Sequence, residues 1–261
     1  MGVLEGFDVM MWVSRRTALL GGLGALFAVG AGVQASGQTG GQGADHWYDL
    51  KDRDGAPLPN MRLPVELTSE IERLPGVFWM GAAQPDVTII EVYDYNCPWC
   101  HATARDLHAL MADAGDVRIG FMNNPILSPA SAQAAKVEMA LLRTMGPQIA
   151  YDFYRAMFSR KGRADGAAAL AAARVVMDGR RSDAAEGKKT GATFADVQRV
   201  ADDEKTAMAL KAQMKLAASL GMSATPSFIT GGVSIQGYPG PKTLGGIVAA
   251  MRDCEEPVCK G

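Results

Sequence analysis

Residues 91–101, with the sequence EVYDYNCPWCH, constrain the fold most, because a hydrophobic run meets two cysteines separated by two residues. The run at residues 86–93 is rich in β-branched and aromatic residues and predicts a strand buried on both faces. Residues 102–112 carry apolar side chains at helical spacing. This order places Cys97 at a helix N-terminus, where free backbone N–H groups and the helix dipole stabilise a thiolate. Cys97 is therefore the predicted nucleophile.

Cys100 lies one helical turn further along the same face, close enough to bond Cys97. The pair predicts a redox centre in which Cys97 forms mixed disulfides and Cys100 resolves them. A static disulfide and half of a zinc site are the other interpretations. Zinc needs two further ligands at suitable spacing, and the other two cysteines, Cys254 and Cys259, lie far along the chain. We favour the redox centre and predict no metal ligands.

The bulk properties of the chain exclude some functions. Its 261 residues suffice for one large domain or two small ones, and 48% of them are hydrophobic, so a substantial core is possible. A net charge of −2 gives no electrostatic reason to expect nucleic acid or a membrane surface as a partner. The four cysteines fall in two close pairs, which suits an oxidising compartment.

Residues 1–35 have the features of an export signal. Arg15 and Arg16 precede a Gly- and Ala-rich apolar segment, and small residues near position 35 suit cleavage by a signal peptidase. The arginine pair resembles a twin-arginine signal, although Ala18 and Leu20 replace the residues usual in that motif. An uncleaved anchor helix is the alternative, but the apolar run is short for a membrane span. We predict a periplasmic location.

Residues 36–76 are predicted to be a flexible linker followed by an N-terminal segment. Residues 68–74 carry a short helical pattern that Thr68 or Ser69 would cap. The segment either packs on the domain, which we favour, or forms a homo-oligomer through residues 45–76.

The pattern from residue 77 onward predicts an α/β domain that a block of helices interrupts. Residues 77–80 are predicted as an edge strand, 87–93 as the central strand, and 117–122 as the next strand, parallel to it. Only helical patterns follow, which indicates an all-α subdomain inserted at about residues 128–221. Its predicted helices are residues 131–142, 147–158, 166–177, 193–200 and 203–220.

Within this insertion, residues 180–191 are polar and Gly-containing and are the expected mobile loop. Strands resume in a hairpin at residues 223–230 and 233–236, joined by two glycines. A helix over residues 241–252, with proline in its first turn, closes the domain.

Three motifs in this order resemble the DsbA-like branch of the thioredoxin superfamily: YDYNCPWC at residues 93–100, FMNNPIL at 121–127 and ATPSF at 224–228. The resemblance covers residues 77–251. It implies a thioredoxin fold with an inserted all-α subdomain, a domain at residues 77–252 and a C-terminal tail at residues 253–261.

The resemblance also assigns roles to Thr225 and Pro226. In that family the residue at the Pro226 position is a cis-proline beside the active-site pair, where the neighbouring backbone docks an extended substrate peptide. An ordinary trans proline at the start of a strand is the alternative. Thr225 resembles the disulfide isomerases and some reductases more than the strongest oxidants, which favours the isomerase interpretation without establishing it.

Glu91 is unusual because it lies on an otherwise apolar strand, six residues before Cys97. If it is buried, its carboxyl must be protonated or hydrogen-bonded. Family members place a buried acid at the equivalent position, which implies that Glu91 relays the proton of Cys100. A strand residue that faces a polar neighbour is the alternative.

Pro98, Trp99 and His101 are the expected tuning residues of the cysteine pair. The most oxidising relatives carry His just before the second cysteine, where its cation stabilises the thiolate. Trp99 takes that place here, so we expect a higher Cys97 pKa and a less oxidising couple than in those relatives. His101 either compensates in part or lies solvated on the helix surface.

Cys254 and Cys259 follow the last predicted helix. We predict a structural disulfide that closes a short loop, with a modest effect on stability. A second redox relay is the alternative, but no strand–helix junction surrounds this pair.

Together these features predict an exported thiol:disulfide oxidoreductase that acts on extracytoplasmic protein substrates, in the first place as a disulfide-forming oxidant. It needs no diffusible cofactor, and a membrane redox partner would recycle the pair. Three alternatives stay open. They are an isomerase or reductase of extracytoplasmic thiols, a dedicated redox partner of one client, and a non-enzymatic protein that binds a soft metal such as Cu(I) through Cys97 and Cys100.

Overall fold

The computed structural model describes residues 46–183 and 191–259. Its elements, in chain order, are β1 (Asn60–Arg62), α1 (Val65–Ile71), β2 (Phe78–Gly81), β3 (Val87–Tyr93), α2 (Pro98–Asp113), β4 (Val117–Asn123), α3 (Pro129–Met145), α4 (Pro147–Ser159), α5 (Gly166–Asp183), α6 (Phe194–Ala201), α7 (Glu204–Ser219), β5 (Ser227–Thr230), β6 (Val233–Gln236) and α8 (Gly240–Cys254). The predicted export signal and most of the predicted linker lie outside the described residues.

The six strands form one mixed sheet in the order β1-β6-β5-β3-β4-β2. β3 is the predicted central strand: six of its seven residues are buried, and it pairs parallel to β4 and antiparallel to β5. The predicted edge strand is confirmed as β2, which pairs antiparallel to β4. The carboxyl ends of the parallel strands β3 and β4 therefore lie side by side at one edge of the sheet, where the CxxC stretch begins.

Five helices, α3 to α7, lie between β4 and β5 and form the inserted subdomain. Their starts follow from local chemistry, since Ser128, Thr193 and Asp203 cap α3, α6 and α7 through side-chain oxygens that accept backbone N–H groups. Gly146, with φ of +93°, lets the chain turn sharply from α3 into α4. A block of helices inserted between two sheet strands is the predicted architecture.

Three predicted boundaries are wrong. α1 begins at Val65 after Pro64, and neither Thr68 nor Ser69 caps it, because their hydroxyls donate to carbonyls within the helix. α5 runs on to Asp183, so the start of the expected mobile loop is helical, and residues 184–190 lie outside the described residues.

The third boundary concerns the hairpin of β5 and β6. β5 begins at Ser227 and not at residue 223, since the chain enters the strand only after Pro226, which has no N–H to donate. The turn itself is as predicted: Gly231 and Gly232 both have positive φ, the geometry that tight hairpins need.

The N-terminal segment joins the sheet through a strand that the sequence pattern did not predict. β1 pairs antiparallel to β6, and Tyr48, Leu50 and Leu58 are buried in the main core. The side chain of Asn60 holds this segment in shape by bonding to the backbone of Tyr48 and Leu58. The segment packs on the domain, as favoured above. Within the described residues, no helix has both the length and the apolar character needed to cross a membrane.

Candidate active site

Cys97 occupies the N-cap position of α2, and Pro98 is the first residue of the helix. The backbone N–H of Cys97 donates to Asp94 O at 3.0 Å, and that of Cys100 donates to Cys97 O at 3.2 Å. Both cysteines are free thiols, and Cys97 retains 3% exposure against 0% for Cys100. Cys97 is therefore the sulfur that a partner can reach first.

Asp94 and Asn96 hold in place the loop between β3 and α2, although the sequence analysis assigned no role to either residue. The carboxylate of Asp94 accepts the N–H groups of Asn96 at 2.7 Å and Leu127 at 2.9 Å. The amide of Asn96 bonds to both backbone groups of Ala164 and donates to the Ser131 hydroxyl. The sequence could have indicated this role, because Asp and Asn side chains just before a helix start commonly form hydrogen bonds with nearby backbone groups.

Thr225 and Pro226 lie against the nucleophile. The Thr225–Pro226 peptide bond is cis, and Cys97 Sγ lies 3.0 Å from Thr225 O, to which the thiol donates. The Thr225 hydroxyl is buried and has no partner while Cys97 is a thiol. It can donate to the sulfur once Cys97 loses its proton, and it contributes to the lowered pKa of Cys97.

The surroundings of the two sulfurs have opposite effects on their acidities. The pKa of Cys97 is lowered to about 6, first by the hydrogen bond from the Cys100 side chain and then by the Thr225 side chain and the amides of Trp99 and Cys100, against a cost from burial. The pKa of Cys100 is raised well above its usual value, first by burial and then by the Cys97 sulfur and the Glu91 carboxyl. One thiolate therefore forms readily and the other does not.

Glu91 is completely buried in the middle of β3. Its Oε2 accepts a hydrogen bond from the Tyr154 hydroxyl at 2.6 Å, while its Oε1 has no partner. Burial raises the pKa of Glu91 to about 8, opposed by the Tyr154 bond and reinforced by Cys97 and Glu138. A carboxyl with this pKa exchanges its proton near neutral pH.

A second buried carboxyl, Glu138 on α3, escaped the sequence analysis. The hydroxyls of Tyr93 and Tyr95 and the amide of Asn123 all donate to it. Burial raises the pKa of Glu138 to about 7 against these three hydrogen bonds, which lower it. The residues one helical turn away are apolar, but an acid on a helix that also carries basic residues is ordinary until the buried face is known.

Trp99 is 48% exposed and stacks on Tyr238 with 5.6 Å between the ring centroids. The guanidinium of Arg53, from the N-terminal segment, lies 5.6 Å from the centroid of the Trp99 ring. The Tyr238 hydroxyl in turn donates to Asp106 on α2 at 2.5 Å. An apolar platform with one cationic side therefore stands beside the cysteine pair.

His101 is held against α4. Its Nδ1 lies 2.8 Å from Phe158 O, and because a carbonyl only accepts, this nitrogen carries a proton. Among the hydrogen bonds of the described residues, none joins His101 to Cys97. The expectation of a freely solvated His101 is therefore wrong, since its ring is half-buried and packs edge-on against Phe158.

Cys254 and Cys259 form a disulfide at the end of α8. They contact the last turn of that helix and no part of the Cys97 site. Across residues 46–183 and 191–259, no group of three or more His, Cys, Asp or Glu side chains is arranged to hold a metal ion.

The comparison with protein families matches residues 74–250 to the model described as thioredoxin. The chain belongs to the thioredoxin family. A comparison with curated proteins finds no significant match.

Solved structures similar to this thioredoxin-family protein include a thioredoxin-like oxidoreductase from Silicibacter pomeroyi DSS-3. It is 26% identical, with a TM-score of 0.58 over 71% of this chain and 98% of that one. A periplasmic thioredoxin-like protein from Salmonella enterica serovar Typhimurium is 20% identical, with a TM-score of 0.59 over 74% and 99% of the two chains. The thiol-disulfide exchange protein alpha-DsbA2 from Wolbachia pipientis is 23% identical, with a TM-score of 0.58 over 71% and 94%.

The family match confirms the predicted thioredoxin superfamily, and the similar structures confirm the predicted thioredoxin fold with inserted helices. The family match and the 26% identity to the thioredoxin-like oxidoreductase agree with the predicted oxidoreductase class.

Proposed function

We propose that this protein is exported and forms disulfides in extracytoplasmic protein substrates, with Cys97 as the nucleophile and Cys100 as the resolving residue. The observation that carries the proposal is the asymmetry of the pair, in which the pKa of Cys97 is about 6 and that of Cys100 is raised well above its usual value. A couple with one stabilised thiolate favours its dithiol form, which is the property of a disulfide donor.

The oxidising reaction has two exchange steps. A substrate thiolate first attacks Cys97 Sγ of the Cys97–Cys100 disulfide, so the bond between the two protein sulfurs breaks and a mixed disulfide forms on Cys97. Cys100 leaves with the electron pair as a thiolate. A second substrate thiolate then attacks the substrate sulfur of the mixed disulfide, which releases Cys97 as a thiolate. The substrate has lost two electrons and the cysteine pair has gained them.

Glu91 supplies the proton that the departing Cys100 thiolate takes up. Its carboxyl raises the pKa of Cys100 through their electrostatic interaction, and one of its oxygens has no hydrogen-bond partner. Because the pKa of Glu91 is about 8 and that of Cys100 is higher, transfer from carboxyl to sulfur is downhill. The proton returns to Glu91 when Cys100 is oxidised again.

The backbone at Thr225 and Pro226 docks the substrate. The support is the 3.0 Å contact between Cys97 Sγ and Thr225 O, because a chain that runs along this backbone brings its own cysteine to Cys97. Pro98 and the exposed Trp99 line the approach to the pair. Strand-like docking through main-chain groups tolerates many substrate sequences.

The remaining parts of the chain serve export and stability. Residues 1–35 direct export, residues 36–76 form the linker and the N-terminal segment, and the domain spans residues 77–252. In the tail, residues 253–261, the Cys254–Cys259 disulfide is structural. A membrane redox partner reoxidises the Cys97–Cys100 pair without any diffusible cofactor. The periplasmic relative named above supports the export proposal.

The test is the reduction potential of the Cys97–Cys100 pair, measured by equilibration in glutathione buffers with Cys254 and Cys259 intact. We expect a potential well above about −200 mV, in the range of disulfide donors. A potential near about −270 mV, that of thioredoxin, would contradict the oxidant role.

A reductase or isomerase of extracytoplasmic thiols is the second candidate. The residue that favours it is Thr225, which resembles the residue that isomerases and some reductases carry before the proline. Refolding of a scrambled multi-disulfide substrate separates the two functions. An oxidant raises the yield only from reduced substrate, whereas an isomerase raises it from the scrambled form. The possible homo-oligomer through residues 45–76 belongs to this second candidate.

A further inference from the structure

The buried acid Glu138 takes no part in the exchange steps proposed above. Glu138 is completely buried on α3, in the inserted helical subdomain, and its two oxygens receive hydrogen bonds from three different side chains. A buried carboxyl is costly, and a carboxyl that accepts several hydrogen bonds is one built to carry charge. The surroundings of Glu138 therefore favour its ionised form.

The three donors come from the elements that lead into the redox site. Tyr93 ends β3, Tyr95 lies two residues before Cys97, and Asn123 ends β4. The Tyr93 hydroxyl lies 2.8 and 2.7 Å from the two carboxylate oxygens, and Asn123 Nδ2 lies 2.5 Å from Oε1. Glu138 therefore ties the helical subdomain to the strand end and loop that present the nucleophile.

The two buried carboxyls are neighbours in one polar cluster. Glu91 and Tyr93 are two residues apart on β3 and point to the same face of the sheet. The rings of Tyr93 and Tyr154 meet edge to face with 5.1 Å between centroids, and each hydroxyl donates to a different acid, Glu138 and Glu91. Two carboxylates that share one buried site cannot both ionise cheaply.

The hydrogen bonds decide which of the two ionises first. Glu138 has three side-chain donors, whereas Glu91 has one donor and one oxygen without a partner. We propose that Glu138 is a positioning residue of the redox reaction: it holds the negative charge of the cluster and thereby keeps the proton on Glu91, beside the cysteines. This inference rests on the proposed role of Glu91 in the exchange reaction.

The acidities agree with this order. The pKa of Glu138 is about 7 and that of Glu91 is about 8, and the charge on Glu138 is among the causes that raise the latter. The raised pKa of Glu91 affects the transfer of a proton between Glu91 and Cys100. A Glu91 with a raised pKa is a stronger base for the Cys100 thiol when the disulfide closes, and it still protonates the Cys100 thiolate when the disulfide opens.

The other groups that face Glu138 stay neutral. The hydroxyls of Tyr93, Tyr95 and Tyr154 have pKa values raised well above the usual value by burial, and Asn123 does not titrate. From α7, Gln213 accepts the backbone N–H of Asn123. The buried side chains of α5 and α6, whose helices pack on α3, are apolar: Ala169, Ala173, Met177, Val197, Val200 and Ala201. Glu91 is thus the group that responds when the charge on Glu138 is removed.

The test is a pH titration of the reduced protein with carbon-13 label in the glutamate carboxyl groups, followed by NMR. In Glu138→Gln, which keeps the size and the acceptor oxygen, we expect the midpoint of Glu91 to fall by about one pH unit. Because Glu138 ionises while Glu91 is still protonated, Glu91→Gln should leave the midpoint of Glu138 almost unchanged. A fall of about one unit in that variant would mean that Glu91 ionises first and would contradict the inference. An unchanged Glu91 midpoint in Glu138→Gln would overturn the inference.

Tyr95→Phe keeps the inference testable if Glu138→Gln does not fold. This variant removes one donor but retains the carboxyl, so the midpoint of Glu138 should rise, and an unchanged midpoint would contradict the assigned hydrogen bonding. For the folded variants, the inflection of the reduction potential against pH should move with the Glu91 midpoint. The NMR readout needs neither a substrate nor a direction of exchange. It therefore separates failure of this inference from failure of the oxidant proposal.

Discussion

At the scale of single residues, Cys97 and Cys100 are three positions apart, yet their surroundings shift their thiol pKa values in opposite directions. Cys97 caps a helix, where N–H groups and a neighbouring thiol stabilise its thiolate. Cys100 lies inside that helix, with no exposure to water and a carboxyl close by. The difference follows from helix position, which the strand–CxxC–helix order predicted, and from the burial of Cys100, which the fold adds.

Removal of the Thr225 hydroxyl should weaken the Cys97 thiolate. In Thr225→Val, which keeps the shape of the side chain, we expect the Cys97 pKa to rise by up to about one unit, the value of one lost hydrogen bond. The reduction potential should fall at the same time, because the reduced form loses stability. Thiolate absorbance against pH measures the first effect. Thr225→Ser keeps a hydroxyl, so its Cys97 pKa should equal that of the wild type. If the Cys97 pKa of Thr225→Ser is as high as that of Thr225→Val, the hydroxyl does not have this role.

Glu91 makes the stability of the fold depend on pH. Its pKa is about 8 in the folded protein and about 4.5 when unfolded, so the unfolded chain releases this proton first as the pH rises. The contribution of the protonated Glu91 to the free energy of unfolding is therefore complete below about pH 4.5. It is lost as the pH rises through about 8, on the order of 5 kcal/mol in all. In Glu91→Gln this loss should be absent.

Urea unfolding of the reduced protein at pH 4.5 and pH 8 measures the difference, since all other acids are common to both proteins. We expect the free energy of unfolding of Glu91→Gln to increase relative to that of the wild type as the pH rises. Parallel pH profiles of the two proteins would show that burial does not raise the pKa of Glu91 in the folded protein.

Sequence reasoning found the buried acid Glu91 and missed the buried acid Glu138 for a physical reason. Glu91 interrupts a strand in which nearly every neighbour is apolar, so its polarity stands out at once. Glu138 lies on a helix that also carries Lys136 and Arg143, where an acid is ordinary until the buried face is known. Its donors, Tyr93, Tyr95 and Asn123, are 15 to 45 residues away in the chain, so only the fold brings them together.

At the scale of elements, periodicity predicted the strands β3 and β4 almost to their ends, and likewise the helices of the insertion apart from α5, which runs six residues beyond its predicted end. It failed for β1, which has three residues and stands between Pro59 and Pro64, too short for a period-two pattern to be visible. It also failed at the start of α1, where a proline placed the helix start ahead of the expected cap. Short elements are stabilised by the strands and helices that they pair with or pack against. Those neighbours are distant in the chain, so a local sequence pattern does not reveal them.

The first turn of α2 sets the acidity of Cys97, and residue 99 is one of its two exposed positions. We expect Trp99→His to lower the Cys97 pKa, because an imidazolium at this point is a cation beside the thiolate. Each unit of pKa corresponds to about 1.4 kcal/mol, or about 30 mV in the reduction potential, which should rise.

Trp99→Gln is the matched control, since it also removes the stacking on Tyr238 but brings no charge. Thiolate titration and glutathione equilibration of both variants measure the effect. If the Cys97 pKa shifts equally in the two variants, its cause is the loss of the Trp99 stacking and not the added charge.

At the scale of the whole molecule, the N-terminal segment is part of the domain and also reaches the redox site. Its strand β1 extends the sheet, and its Arg53 lies against Trp99. Tyr48 and Arg62 bind Glu256 in the C-terminal tail at 2.7 and 2.6 Å, so the segment also holds the far end of the chain. Such contacts within one chain are what a packed segment makes and what an arm for oligomer formation does not need.

A pair of truncations tests this conclusion. A protein that begins at residue 46 keeps the whole described segment, whereas one that begins at residue 63 loses β1 and the buried side chains of Tyr48, Leu50 and Leu58. Each buried leucine contributes about 1.5 to 3 kcal/mol, so the shorter protein should lose a large part of a total stability of about 5 to 15 kcal/mol. Its urea midpoint should fall clearly, and Trp99 emission should change as Arg53 is lost.

The same pair distinguishes packing from oligomer formation through residues 45–76. If the segment serves its own domain, both truncated proteins have the molar mass of one chain in light scattering, and only their stabilities differ. If it serves a homo-oligomer, the longer protein is a multimer and the shorter one a monomer of similar stability. Because three buried core side chains belong to the segment, we expect the first result, and the isomerase candidate then loses the assembly that would favour it.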